Sequence, residues 1–140
     1  MMAILRQSVL SVVVLLFIGL LNTAQAQTSP LGVALDQRVI DLTNTLDATT
    51  TARLKDQLAA LEQRKGAQVA VLLVPTTSGT SIEDYANQLF RAWQLGRKDV
   101  NDGILLVVAK DDRKVRIEVG YGLEGTVTDL LAHRIIEEHI

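Results

Sequence analysis

Two apolar runs of strand length, Ala67–Val74 and Ile104–Ala109, constrain this chain more than any other feature. Each is almost unbroken Val, Leu and Ala, the pattern of a strand covered on both faces of a sheet. Leu106, midway along the second run, is accordingly expected to be almost completely buried. Between the runs, Ile82, Tyr85, Ala86, Leu89, Phe90 and Trp93 repeat with helical period and share one face. Ser81 is placed to cap that helix, with Asp84 as a variant of the capping box, and Gly96 to stop it. A strand, a helix and a second strand in this order predict a parallel pair with a right-handed crossover.

The flanking segments extend the same architecture. Lys114–Val119 alternates polar and apolar residues strictly, as a strand with one wet face does. The turn Lys110–Arg113 makes it the antiparallel partner of the second apolar run. Upstream, Leu54, Leu58 and Leu61 form one stripe of a helix that Asp47 or one of Thr49–Thr51 can cap and Gly66 can end. Arg38–Leu42 is a short mixed segment, a candidate strand or ordered arm. A final helix starts near Thr128 on Leu130, Leu131, Ile135 and Ile136. The fold class is therefore α/β: a small mixed sheet, built from a parallel βαβ unit plus an antiparallel hairpin, sandwiched by helices.

The ends bear on compartment. Arg6 precedes the apolar run Val9–Leu21, and Ala24-Gln25-Ala26 follows it. That is a secretory signal peptide over residues 1–26, with cleavage after Ala26; the run falls short of the ~20 residues that span a bilayer. Residues 27–37 read as a flexible leader and 38–140 as the domain. The chain stops at Ile140 inside an apolar helical pattern with no stop signal, so the domain is expected to continue. The expected location is periplasmic or otherwise extracytoplasmic, with a membrane tether if a transmembrane helix follows.

Composition removes several function classes. There is no cysteine, which excludes thiol catalysis and Cys-based zinc sites. The net charge is −2, and Lys and Arg are scattered among Asp and Glu, which argues against nucleic acid as a partner. Gly120-Tyr121-Gly122-Leu123-Glu124-Gly125 matches G-x-G-x-x-G, but it follows a hairpin strand rather than the first strand of a βαβ unit. It is read as a tight turn, and no nucleotide is expected. Asp99–Gly103 lacks EF-hand spacing, and His133 and His139 lie on different helix faces.

A hairpin brings the start of its first strand beside the end of its second. Asn101, Asp102 and Gly103 should therefore lie next to Gly120–Glu124, with Trp93 and Gly96 arriving at the same end. Asp129 opens the last helix there, and Asp41 joins if the N-terminal segment pairs alongside. Converging carboxylates repel unless they are spread in solvent, offset by Arg or Lys, or bridged by a cation. The candidate site is thus a divalent-metal site of Asp102, Glu124, Asp129, Asn101 and Asp41. Ca²⁺ is favoured over Mg²⁺ because these ligands sit on loops.

From Arg38 to Ile140, beginning with Val39-Ile40-Asp41, the chain resembles a known family. The resemblance is carried by Ser81-Ile82-Glu83-Asp84-Tyr85-Ala86, Ala92-Trp93-Gln94-Leu95-Gly96, Asn101-Asp102-Gly103-Ile104, Asp112-Arg113-Lys114-Val115-Arg116-Ile117-Glu118, and Gly120-Tyr121-Gly122-Leu123-Glu124 with Thr128-Asp129. In this order and spacing the pieces are similar to the TPM domain of exported bacterial and thylakoid-lumen proteins. The resemblance implies an α/β sandwich and links to calcium binding, photosystem II repair and acid phosphatase activity. The expected function is an exported binding module that takes a divalent cation and helps maintain or assemble a membrane protein complex. The alternative is a metal-assisted acid phosphatase with the ion on Asp102, Glu124 and Asp129, for which no nucleophile motif is found.

Overall fold

A computed structural model describes residues 31–139. The signal-peptide reading, residues 27–30 of the 27–37 leader and the apolar end at Ile140 lie outside them. The strands are β1 (Val39–Asp41), β2 (Gln68–Val74), β3 (Gly103–Ala109) and β4 (Lys114–Val119). The helices are α1 (Ala48–Lys65), α2 (Ile82–Trp93) and α3 (Asp129–His139), with a single 3₁₀ turn at Tyr121–Leu123. The sheet order is β1-β2-β3-β4. β1 and β3 both run parallel to β2, and β4 is antiparallel to β3, as the mixed-sheet expectation requires.

Local signals set the helix ends. Asp47 accepts the Thr50 N–H at 2.6 Å and caps α1, while Gly66 ends it in the left-handed region at φ 77. Ser81 Oγ accepts the Asp84 N–H at 3.1 Å and caps α2. That helix stops before Gly96, because Gln94 takes the left-handed conformation at φ 50.

The main core lies between α2 and one face of the sheet. Leu72, Leu105 and Val107 are fully buried beneath Ala86 and Leu89 of α2. Leu106 corrects the sequence expectation: it is only half-buried. Along β3 burial alternates with the pleat, full on the α2 side and partial on the other, so a continuous apolar run does not here mean equal cover on both faces. The helix α1, which packs on β1 and β2, has no buried residue. The alternating strand β4 departs in the opposite sense. Its polar residue Glu118 has a side chain only 15% exposed, because the α2 side chains reach over it.

The described part of the leader is also not detached. Val33 is buried, its carbonyl accepts the Trp93 Nε1–H at 3.0 Å, and Leu31 and Leu35 pack on the core. Leu31, Val33 and Leu35 form an apolar alternation that finds cover beside Trp93. Among the described residues no helix is long and apolar enough to cross a membrane.

Candidate functional site

Three backbone segments stack where β3 begins and β4 ends, and glycine is what lets them approach. Gly96, at φ 96, lies so close to the next segment that an added Cβ would stand 2.6 Å from the Gly103 nitrogen. A Cβ on Gly120 would run into the Asn101 carbonyl oxygen, and one on Gly122 into that of Val100. Hydrogen bonds close the stack: Gly120 N–H to the Gly103 carbonyl at 2.8 Å, and Gly122 N–H to the Asn101 carbonyl at 2.9 Å. The glycine-rich run is thus a close-packed turn, as its position after a hairpin strand implies. It presents Tyr121 with 78% of its surface exposed.

Beside Tyr121 opens a cleft of about 530 Å³. Its base is apolar, with Phe90 and Leu95. The second half of α2 and the segment after it contribute Asn87, Arg91, Gln94 and Lys98 to one wall. Glu118, Asn101 and Glu124 line the other sides. A neighbouring hollow of about 350 Å³ shares Glu118 and Glu124 and adds Thr128. Gln94, Asp99 and Asn101 all have positive φ, so the segment that shapes this wall coils against the usual backbone preference.

The residues expected to hold a metal separate in the structure. Asp102 is buried, 4% exposed, and spent on Arg97. Its carboxylate accepts the Arg97 backbone N–H and Nε–H, each at 2.8 Å, and lies 2.6 Å from Nη2. The hydrogen bond from the Arg97 side chain holds the Asp102 carboxyl below its ordinary pKa against the opposing effect of burial. The Arg97 guanidinium also lies over Gly66 and so ties the end of α1 to this turn.

Asp41 does not join the group. β1 does pair alongside, but parallel to β2, which puts Asp41 opposite Leu73 at the far end of the sheet. There it accepts hydrogen bonds from the backbones of Thr43, Thr45 and Leu46 and from the Thr43 hydroxyl. Burial pushes its pKa up, and these hydrogen bonds together outweigh it and leave the carboxyl more acidic than usual. Glu124 and Asn101 are exposed on the cleft, and Asp129 opens α3 near them, its side chain lying outside the described set. Among the described residues no three His, Asp or Glu side chains group as a metal site. The five-residue ligand set therefore does not form as one site.

Sequence reasoning missed Glu118 and the α2 wall. The signals were present. Asn87, Arg91, Gln94 and Lys98 are spaced at i, i+4, i+7 and i+11, a polar stripe beside the apolar one. Glu118 pairs in register with the buried Leu105, which puts it on the sheet face that α2 covers. Asn87 Nδ2 donates to its carboxylate at 3.3 Å, and Arg116 Nε lies 3.4 Å away on the same strand face.

Comparisons with known proteins agree with this architecture. No curated protein matches the chain. The solution NMR structure of the N-terminal domain of a protein from P. gingivalis is 32% identical, with TM-score 0.67 over 81% of this chain and 68% of that one. The N-terminal domain of the cg2496 protein from Corynebacterium glutamicum shares the fold at TM-score 0.58 and 13% identity, over 74% of this chain and 64% of that one. The family model described as the TPM domain matches residues 39–140, nearly the whole of the described region. This chain belongs to the TPM domain family.

Proposed function

We propose that this TPM domain is an exported binding module, that the cleft beside Tyr121 is its binding site, and that it serves the maintenance or assembly of a membrane protein complex. One observation carries the reading. Tyr121 is a large exposed aromatic held on a close-packed turn, at the mouth of a cleft with an apolar base and a polar rim. Binding centres favour aromatic side chains held rigidly, because little entropy is lost when they engage. The export part rests on Arg6, the apolar run Val9–Leu21 and the small residues Ala24 and Ala26. Mass spectrometry of extracytoplasmic material should give Gln27 as the N-terminus; an N-terminus at Met1 would remove that part. For binding, full-length protein should capture a defined partner from membranes, and Tyr121→Ala should lose it. Equal capture by wild type and variant would move the site elsewhere.

A divalent cation, Ca²⁺ ahead of Mg²⁺, is a second reading, favoured by the one hollow that Glu118 and Glu124 share with Thr128. Asp102 and Asp41 take no part in it. An ion held only by the folded state adds about 2.7 kcal/mol of stability at a hundredfold excess over Kd. Thermal melts with Ca²⁺, Mg²⁺ or chelator should show that gain, and Glu124→Gln should abolish it; no shift at millimolar Ca²⁺ ends this reading. The phosphatase alternative draws on the same carboxylates without Asp102. Its check is hydrolysis of a phosphomonoester that both chelator and Glu124→Gln abolish.

A further inference from the structure

We infer that the cleft receives the carboxyl terminus of a peptide whose last residues are apolar. The inference rests on the cleft being the binding site and names what fills it. Charge comes first. Of the three cations on the wall, Arg97 is neutralised by Asp102. The side chains of Arg91 and Lys98 have no hydrogen-bond or ion-pair partner among the described residues. Of the two carboxylates, Glu118 already has Asn87 and Arg116. Among the described residues Glu124 is the only carboxylate of the cleft left to offset the two free cations, so their surplus is positive. An anion complements it.

The anion must carry an apolar body. Phe90 and Leu95 form the base, and Tyr121 stands at the rim. A bare phosphate would leave that surface wet. The carboxamides of Gln94 and Asn101 also lack partners among the described residues. Each offers both a donor and an acceptor, the complement of a peptide group. A C-terminal residue meets all three demands at once, because its carboxylate, its amide and its apolar side chain share one Cα. An acidic side chain would leave the apolar base to a neighbour. The cleft volume of about 530 Å³ falls in the usual range for small ligands and suits a chain end of about two or three residues rather than a folded surface.

The test uses three probes on the ¹⁵N-labelled protein: an acetylated pentapeptide ending Leu-Val with a free carboxylate, the same peptide as its C-terminal amide, and hexanoate. The free acid should shift the amide signals of Tyr121, Gln94 and Lys98, and the amide form should bind at least about tenfold more weakly. The double variant R91A/K98A should lose that preference while keeping its melting temperature, since neither side chain supports the fold. Acid and amide binding alike, or shifts confined to another surface, would overturn the inference. So would hexanoate matching the peptide, which would make the ligand a small fatty acid. Capture of the partner that still depends on Tyr121, together with acid and amide binding alike, would sink the carboxyl-terminus inference and leave the binding module standing.

Discussion

The Asp102 carboxylate clamps Arg97 at two points, receiving the backbone N–H and the Nε–H of that residue at 2.8 Å each. It thereby closes the turn 97–102, whose Val100 and Asn101 N–H groups both donate to the Arg97 carbonyl. A residue that reads as a ligand in the sequence is thus structural, and its carboxyl is held below its ordinary pKa. Asp102→Ala should destabilise the domain by about 1–3 kcal/mol at neutral pH, because the Arg97 N–H loses its acceptor. The sign with pH follows from the lowered pKa. The stabilisation is complete above the unfolded-state value and is lost as pH falls through the lower folded-state value. Urea unfolding should therefore show the gap between wild type and variant closing below about pH 4. A gap that persists undiminished in acid would mean the carboxylate charge is not what closes the turn.

Neighbouring leucines on β3 should respond differently. Leu105 is fully buried under α2, and Leu105→Ala should cost about 2–5 kcal/mol. Leu106 is half-buried on the opposite face, so Leu106→Ala should cost clearly less. Denaturation midpoints of the two variants decide it. Equal losses would mean that the second face is as well covered as the first.

The fold was legible because its signals are local or periodic. The caps at Asp47 and Ser81, the two apolar runs and the hairpin turn each depend on a few adjacent residues, and their order leaves little topological freedom. The end of the sheet that carries the cleft was legible too, since antiparallel pairing alone brings Asn101 to Gly122. What was not legible was which carboxylates are already engaged. Asp102 meets Arg97 through a turn that needs left-handed residues at 99 and 101, and sequence periodicity does not encode that. Asp41 hinged on the direction of a three-residue strand, β1, too short to carry a pattern. Glu118 looked solvated because alternation reports which residues share a face, not which helix lies over it.

Two glycines of one loop provide an internal control. Gly122→Ala would drive its methyl into the Val100 carbonyl and should cost roughly 1–3 kcal/mol while displacing Tyr121. Gly125 has open space where a Cβ would stand, so Gly125→Ala should stay within about 0.5 kcal/mol. Thermal melts compare the two directly. Similar stability in both would mean the turn is not packed against the 100–103 segment.

The binding role of the cleft is tested most directly by cross-linking. A photo-reactive phenylalanine analogue replaces Tyr121 in the full-length protein, or Asp111 on the exposed hairpin tip at the opposite end of the sheet. Both proteins are illuminated with membranes. The analogue at position 121 should give a discrete adduct that R91A/K98A weakens, and the one at 111 should give none. Adducts of equal yield at both positions, or none at 121 under conditions where the partner is captured, would contradict the cleft as the binding site.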